Sequence, residues 1–311
     1  MPFRWRSIGK LASKSLALCV VTVATLMSAC GSEHGGSAPL DPNPVRVIGA
    51  AAGRPATVVL PADYDVTRQY PLVILLHGYG VNGLTQDFIF GLAERTTQYQ
   101  FIVVLPDGTL NSNGERFWDA TPECCNFSGS PIDDVGYLAS LMEEAGMIYA
   151  VDERRIRLVG HSNGGYMSYR YICEHPVPVD RIAVLAGSTY LDAVDCLDPR
   201  PVDVLHIHGT SDDTVPYPPS TDQGLETIGA EAAVARWAAI DGCSEGLELV
   251  GRRDYHQRIR VGDDPAETEV YRARDCRSGR SVELWKAVGA DHLFLSVTNG
   301  WRDDVAAFLS E

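Results

Sequence analysis

Basic charge is scarce in this chain. Lysine and arginine number 26 against 41 aspartates and glutamates, and the acidic residues are spread along the 311 residues for a net charge of −15. Binding to phosphate backbones needs a basic patch, so this balance argues against nucleic acid as a partner. It argues equally against electrostatic attachment to an anionic membrane surface. A membrane-spanning run is missing too. The apolar stretch Leu16 to Met27 is shorter than the ~20 residues that a spanning helix needs. There is no C-x-x-C pair to suggest a zinc ribbon, and no internal repeat.

What that apolar stretch does resemble is the core of an export signal. Arg4, Arg6, Lys10 and Lys14 precede it as a basic n-region, and Ser28-Ala29-Cys30 closes it with small residues before a cysteine. Such an ending resembles a bacterial lipoprotein cleavage box, with Met27 where these boxes usually carry leucine. Residues 1–29 are therefore read as a signal peptide, with Cys30 becoming the lipidated N-terminus. The plain alternative is a secretory signal cut near Ala29. Either way the protein is expected to be exported, lipid-anchored at the bacterial cell envelope or secreted, and to meet a membrane only through that anchor. Residues 30–44, rich in Gly, Ser and Pro, read as a flexible tether. Residues 45–311 read as one catalytic domain, expected to be a monomer.

Of eight cysteines, Cys19 and Cys30 fall in the leader. Cys124, Cys125, Cys173, Cys196, Cys243 and Cys276 remain, an even set that suggests disulfides in an exported chain. Six cysteines allow fifteen pairings, which spacing alone does not choose between.

Apolar runs and helical periods alternate along the domain. Val45–Ile48 and Ala56–Leu60 read as paired edge strands, and Leu72–Leu76 as a strand covered on both faces. A helix is expected from Thr85 to Tyr99, a strand from Phe101 to Leu105, and a helix from Ile132 to about Ala150. Asp133 and Asp134 fall in the first turn of that last helix, where carboxylates favour the helix dipole. Further strands are expected at Ile156–Val159, Arg181–Ala186, Val204–Ile207 and Ser281–Val288, with helices at Ile228–Ile240 and Val305–Leu309. The segment from Cys243 to Thr268 is charged and irregular, and reads as an exposed hairpin excursion. Residues 107–131 read as a pinned loop beside a cleft. Strands alternating with helices imply a mostly parallel sheet with helices on both faces, an α/β fold.

The chemistry concentrates in Gly160-His161-Ser162-Asn163-Gly164, a G-x-S-x-G between a strand and a helix. That is the nucleophile-elbow pattern, in which a sharp turn lifts a serine hydroxyl above the sheet. A serine attacks only when a base takes its proton and a carboxylate fixes the base. In α/β-hydrolases the chain order is Ser, then Asp or Glu, then His. Asp212 or Asp213, after the strand Val204–Ile207, and His292, after the last strand, fit that order. Both sites fall at carboxyl ends of strands, where open parallel sheets place their sites. His77, His161, His206 and His208 compete for the base role, but of these five histidines only His292 follows both nucleophile and acid. His206 and His208 form an H-x-H pair on one strand face, with no third metal ligand nearby in sequence, and read as structural.

Taken together and in order, several motifs carry a resemblance. They are Leu76-His77-Gly78-Tyr79-Gly80, Trp118 with Cys124-Cys125, Asp133-Asp134-Val135-Gly136, Gly160 to Gly165, His208-Gly209-Thr210-Ser211-Asp212-Asp213, and Gly289 to His292. Residues 45–310 resemble the secreted α/β-hydrolase esterases that include polyhydroxybutyrate depolymerases and feruloyl esterases, carbohydrate esterase family 1. The resemblance implies an α/β-hydrolase fold and hydrolysis of carboxylic esters on a small molecule or polymer. It implies Ser162 as nucleophile, His292 as base and Asp212 as the orienting carboxylate. The backbone N–H groups of Tyr79 and Asn163 would form the oxyanion hole. Trp118, Tyr79 and Leu293 are the candidates for lining the substrate cleft. No metal or organic cofactor is implied. The chain departs from the group where Leu293-Phe294-Leu295-Ser296 follows the histidine in place of the group's Trp-Pro-Gly. Cys243 and Cys276 flank the excursion and are expected to pair, leaving Cys124, Cys125, Cys173 and Cys196 for bridges around the active-site face. A prolyl-oligopeptidase-like peptidase shares the elbow and the H-G-T-x-D-D motif. A non-catalytic surface-binding lipoprotein is the rival from outside enzymology.

Overall fold

The computed structural model describes residues 45–311, apart from 175–176, 222–224, 245 and 260–264. The expected signal, Cys30 and the tether lie outside the described residues.

The described residues belong to one unit, built on a sheet that grows outward from its parallel centre. The first strands, β1 (Val45–Ile48) and β2 (Ala56–Val59), pair antiparallel as expected. β3 (Tyr70–Leu76) is buried along its whole length. There follow α1 (Gly83–Phe90), α2 (Thr96–Tyr99), β4 (Ile102–Leu105) and a small hairpin of β5 (Thr109–Leu110) and β6 (Arg116–Phe117). Next come α3 (Asp134–Ile148), β7 (Val151–His161), α4 (Asn163–Glu174), β8 (Arg181–Leu185) and β9 (Asp203–Gly209). The chain ends with α5 (Ala230–Ile240), β10 (Leu247–Arg253), β11 (Thr268–Ala273), β12 (Val282–Ala287) and α6 (Asn299–Ser310).

The main sheet has ten strands in the order β1-β2-β4-β3-β7-β8-β9-β12-β11-β10. From β4 to β12 every neighbouring pair is parallel, while both flanks are antiparallel. Successive side chains on a strand face opposite ways. Leu72, Ile74 and Leu76 of β3 therefore join a core with Leu138 of α3, Tyr166 of α4 and Trp237 of α5. Val73 and Leu75 join a second core with Phe90 of α1 and Trp301 and Val305 of α6. Cover on both faces is why the strand reads as an unbroken apolar run.

Three expectations needed correction. The helix read over Thr85–Tyr99 is broken at Gly91, which sits at φ 63° as the left-handed C-cap of α1. Asp87 Oδ1 accepts the Leu92 N–H at 2.7 Å and turns the chain there. The excursion is a hairpin as expected, of β10 and β11, but it does not stand apart: it extends the main sheet at its edge. Asp133 does cap α3, accepting the Gly136 N–H at 2.7 Å. Asp134, though, is fully buried, pairs with Arg54 at 2.6 Å and accepts the Asp119 N–H at 2.6 Å. It ties the loop after β6 to the start of α3.

Cys243 and Cys276 pair as expected, and Cys173 bridges to Cys196. Cys124 and Cys125 bridge to each other, so this adjacent pair staples its own turn and does not reach across the active-site face.

Candidate active site

The strongest backbone constraint lies between β7 and α4. Ser162 has φ 54°, a left-handed conformation that costs a non-glycine residue roughly 1–2 kcal/mol. Its N–H donates to Leu185 O at 2.8 Å, and its carbonyl accepts the N–H groups of Gly165 and Tyr166. Strand and helix then pack so closely that side chains are excluded. A Cβ at position 160 would lie 2.1 Å from Gly164 O, and one at 164 would lie 2.3 Å from Leu76 O. The two glycines are thus required by close approach, one against the helix and one against β3.

β9 and β12 pair in parallel, which brings the loops after them together. Asp212, in the first, and His292, in the second, meet Ser162. His292 Nδ1 is 2.8 Å from Asp212 Oδ2, and His292 Nε2 is 2.9 Å from Ser162 Oγ. Because the carboxylate only accepts, Nδ1 carries the hydrogen and Nε2 is left bare toward the serine. Asp213, the other candidate acid, is exposed. Burial pushes the Asp212 carboxyl up, but hydrogen bonds from His208 and His292 outweigh it and hold the group well below the ordinary carboxylate range. Its Oδ1 accepts the N–H groups of Thr214 and Val215 at 2.9 and 2.8 Å.

Opposite the elbow, the loop after β3 presents its amides. The Gly78 N–H donates to Gln86 Oε1 at 3.0 Å and the Gly80 N–H to Arg116 O at 2.8 Å. Among the described residues, the Tyr79 N–H between them has no protein acceptor, nor has the Asn163 N–H at the start of α4. The loop is fixed from below by His77. Gly108 N–H donates to His77 Nε2 at 2.8 Å, so its Nδ1 donates to Gly78 O at 2.7 Å. Burial lowers the His77 pKa to about 4, leaving a neutral, fully engaged ring unsuited to act as a base at the surface.

Trp118, expected in the cleft, is fully buried. Its indole N–H donates to His77 O at 3.0 Å, and its backbone N–H and carbonyl bond reciprocally to the Asn163 side chain at 2.7 and 3.0 Å. It supports the site from beneath. Tyr79 is half-buried, with its hydroxyl held by Glu115 Oε2 at 2.8 Å and Asn111 Nδ2 at 2.7 Å. Its ring lies tilted at 59° to that of Phe127, 5.7 Å away between centroids, beside a cavity of about 240 Å³ that Asn111, Asn113 and Ser128 also line. Leu293 and Leu295 are exposed at 49% and 62%, while Phe294 between them, at φ 50°, is buried in the second core. The segment after His292 is thus anchored by its middle residue and shows its leucines to solvent.

The sequence reading missed Gln86. It is buried on α1, where Oε1 takes the Gly78 N–H and meets His161 Nδ1 at 3.2 Å. The available signal was a glutamine three and four residues before Ile89 and Phe90, on the apolar face of a helix.

Comparison with known proteins agrees with this architecture. Residues 52–287 match the esterase family, described as "Putative esterase". The chain is 29% identical over 213 residues to "Probable feruloyl esterase C" of Aspergillus niger, covering 64% of this chain and 70% of that one. To feruloyl esterase B of Piromyces equi it is 28% identical over 204 residues, which span only 36% of that protein. The solved acetyl xylan esterase from Aspergillus awamori superposes with a TM-score of 0.58 over 86% of this chain and all of that one, at 14% identity. At that identity the likeness is one of fold. With the family match running through most of the domain, the chain belongs to the esterase family, carboxylic ester hydrolases on an α/β-hydrolase fold.

Proposed function

We propose that this protein is an exported serine esterase in which Ser162 is the nucleophile, His292 the general base and Asp212 the carboxylate that orients it. The observation that carries the reading is the unbroken hydrogen-bonded run from Asp212 Oδ2 through both nitrogens of His292 to Ser162 Oγ. Ser162 Oγ attacks the ester carbonyl as His292 Nε2 takes its proton. Asp212 steadies the imidazolium that forms. The oxyanion is met by the N–H groups of Tyr79 and Asn163, each such donor being worth about 2.7–4 kcal/mol of barrier. His292 then protonates the leaving alcohol, and the acyl group stays on Ser162. A water that His292 deprotonates attacks this acyl-enzyme, releasing the acid and restoring the serine.

The three disulfides among the described residues support export, since such bridges persist in oxidising compartments. The leader supports it too, with Cys30 as the lipid-anchored residue. For substrate, an aromatic acyl group is favoured, since the ring of Tyr79, whose N–H would meet the oxyanion, lines a cavity together with Phe117 and Phe127. That agrees with feruloyl esters, the substrate for which the relatives are named. Acetyl esters and hydroxyalkanoate oligomers are the competing substrates.

The test is hydrolysis of p-nitrophenyl acetate and butyrate by the wild type and by Ser162→Ala. Equal rates would remove Ser162 from the mechanism. Methyl ferulate run beside hydroxybutyrate oligomers decides the acyl group, and faster turnover of the oligomers would overturn the aromatic preference.

A further inference from the structure

Strand alternation puts His206 and His208 of β9 on the same face, and both rings are fully buried behind Asp212. They lie 5.4 Å apart between centroids, nearly parallel. Every one of their ring nitrogens has a partner. His208 Nε2 is 2.8 Å from Val215 O and 3.3 Å from Asp212 Oδ2. His206 Nε2 is 3.1 Å from His208 Nδ1, and Tyr169 Oη is 2.9 Å from His206 Nδ1.

Only one arrangement of hydrogens satisfies this row with neutral rings. A carbonyl and a carboxylate accept only, so His208 Nε2 carries a hydrogen and Nδ1 is bare. His206 Nε2 must then donate to that bare nitrogen, and His206 Nδ1 accepts from the Tyr169 hydroxyl. The row ends on the oxygen of Asp212 that also receives His292 Nδ1–H. The carboxylate thus accepts Thr214 and Val215 on Oδ1 and His292 on Oδ2, and the His208 N–H, given first to the nearer Val215 carbonyl, leans on Oδ2 as a longer shared contact. Val215 is gripped in both directions, its N–H by Asp212 and its carbonyl by His208.

We propose that His208, held in one tautomer by His206 and Tyr169, is a positioning residue that sets the direction and strength of the Asp212–His292 hydrogen bond. This rests on the Ser162, Asp212 and His292 reading given above. With a second group on Oδ2, the carboxylate cannot swing from its partner. The other groups facing these rings are the His161 ring, 5.0 Å from that of His292, and Tyr217, edge-on to His208 at 5.7 Å with its hydroxyl on Glu231. Asp291 is the sequence neighbour of the base.

The experiment compares His208→Leu, His208→Gln and Tyr169→Phe with wild type and Ser162→Ala on p-nitrophenyl acetate. It reads kcat and KM separately, the pH profile of kcat/KM, and the melting temperature of each variant. A hydrogen bond to a charged group is worth enough that His208→Leu is expected to lose about tenfold or more in kcat, with KM within about twofold. The acid limb of its kcat/KM profile moves to lower pH, because a carboxylate free to turn away stabilises the imidazolium less. His208→Gln, whose amide can donate in place of Nε2–H, recovers most of the rate. Tyr169→Phe shifts both readouts in the same direction by less. A folded His208→Leu with wild-type kcat and acid limb would overturn the inference, as would a His208→Gln no better than His208→Leu. If His208→Leu does not fold, Tyr169→Phe with an unmoved acid limb and rate overturns it alone. Full activity in Ser162→Ala overturns the reading beneath it, whereas an inactive Ser162→Ala beside an unaffected His208→Leu overturns the positioning role only.

Discussion

His161 Nε2 lies 2.9 Å from the carbonyl oxygen of His292, and the two rings pack 5.0 Å apart between centroids. On its other side, His161 Nδ1 meets Gln86 Oε1, the acceptor of the Gly78 N–H. The neutral ring has one hydrogen, which Nε2 gives to the His292 carbonyl, so it bonds the loop carrying His292 and only packs against the glutamine that holds the loop carrying Tyr79. His161→Leu would cut that link while keeping the bulk, and a net hydrogen bond of about 1 kcal/mol predicts a loss of roughly fivefold in kcat. Steady-state kinetics on p-nitrophenyl butyrate check this. An effect confined to melting temperature would limit His161 to packing.

The elbow glycines should tolerate no enlargement. A methyl at position 160 would stand 2.1 Å from Gly164 O and 2.6 Å from Gly165 N, all backbone atoms that cannot swing aside. Gly160→Ala is expected to lose stability at or beyond the ~3 kcal/mol end of overpacking costs, lowering the melting temperature by roughly 6–12 °C. Calorimetry on the variant decides it, and a melting point within about a degree of wild type would mean that strand and helix can part there.

How legible this was depended on what kind of signal each feature left. The meeting of Ser162, Asp212 and His292 could be anticipated because residue type, chain order and position after a strand all point the same way. The parallel centre was equally readable, since burial on both faces writes an unbroken apolar run. β10 left no such trace. As the edge strand it buries none of its residues, so Leu247-Glu248-Leu249-Val250-Gly251-Arg252-Arg253 carries neither alternation nor an apolar run. Trp118 misled for the opposite reason. An aromatic in a long loop suggests a cleft wall, but its N–H and backbone are spent on His77 and Asn163, contacts distant in sequence. The Gly91 break leaves only a glycine within a helical pattern that continues on both sides of it.

Buried titratable groups make stability depend on pH in two opposing ways. Burial lowers His77 and His161 to about 4, so the unfolded chain takes up protons below its ordinary ~6.5 while the folded one does not. Their contribution is complete above pH ~6.5 and is lost as pH falls toward 4, by on the order of 3 kcal/mol each. Asp241 runs the other way. Burial, with the Asp203 carboxylate adding to it, pushes its pKa up to about 7. Its contribution is present below the unfolded value near 4 and is lost as pH rises toward 7. Asp241→Asn removes only that second slope. The melting temperature of the variant minus that of wild type should therefore grow from pH 5 to pH 8. A difference that stays flat would show that Asp241 is ionised throughout.

The Cys243–Cys276 bridge closes the excursion at its two ends, with a sequence separation of 33. Between them, among the described strands, β10 pairs with β11 alone, and the exposed pattern of β10 gives it little burial to resist opening. Ser244 reinforces the closure, donating its N–H to Arg274 O at 2.8 Å. Chain entropy for a loop of this length predicts that the double variant Cys243→Ser, Cys276→Ser loses about 3–4 kcal/mol. For a domain of this size that corresponds to a melting temperature lower by roughly 10 °C. The strands that carry Ser162, Asp212 and His292 pair parallel through β7, β8, β9 and β12, and none of their register depends on β10. Turnover at 25 °C, well below the transition, is therefore expected to stay within about twofold of wild type. Loss of activity together with stability would mean that the hairpin reaches the site through β12, and unchanged melting would mean that β10 and β11 hold their pairing without the bridge.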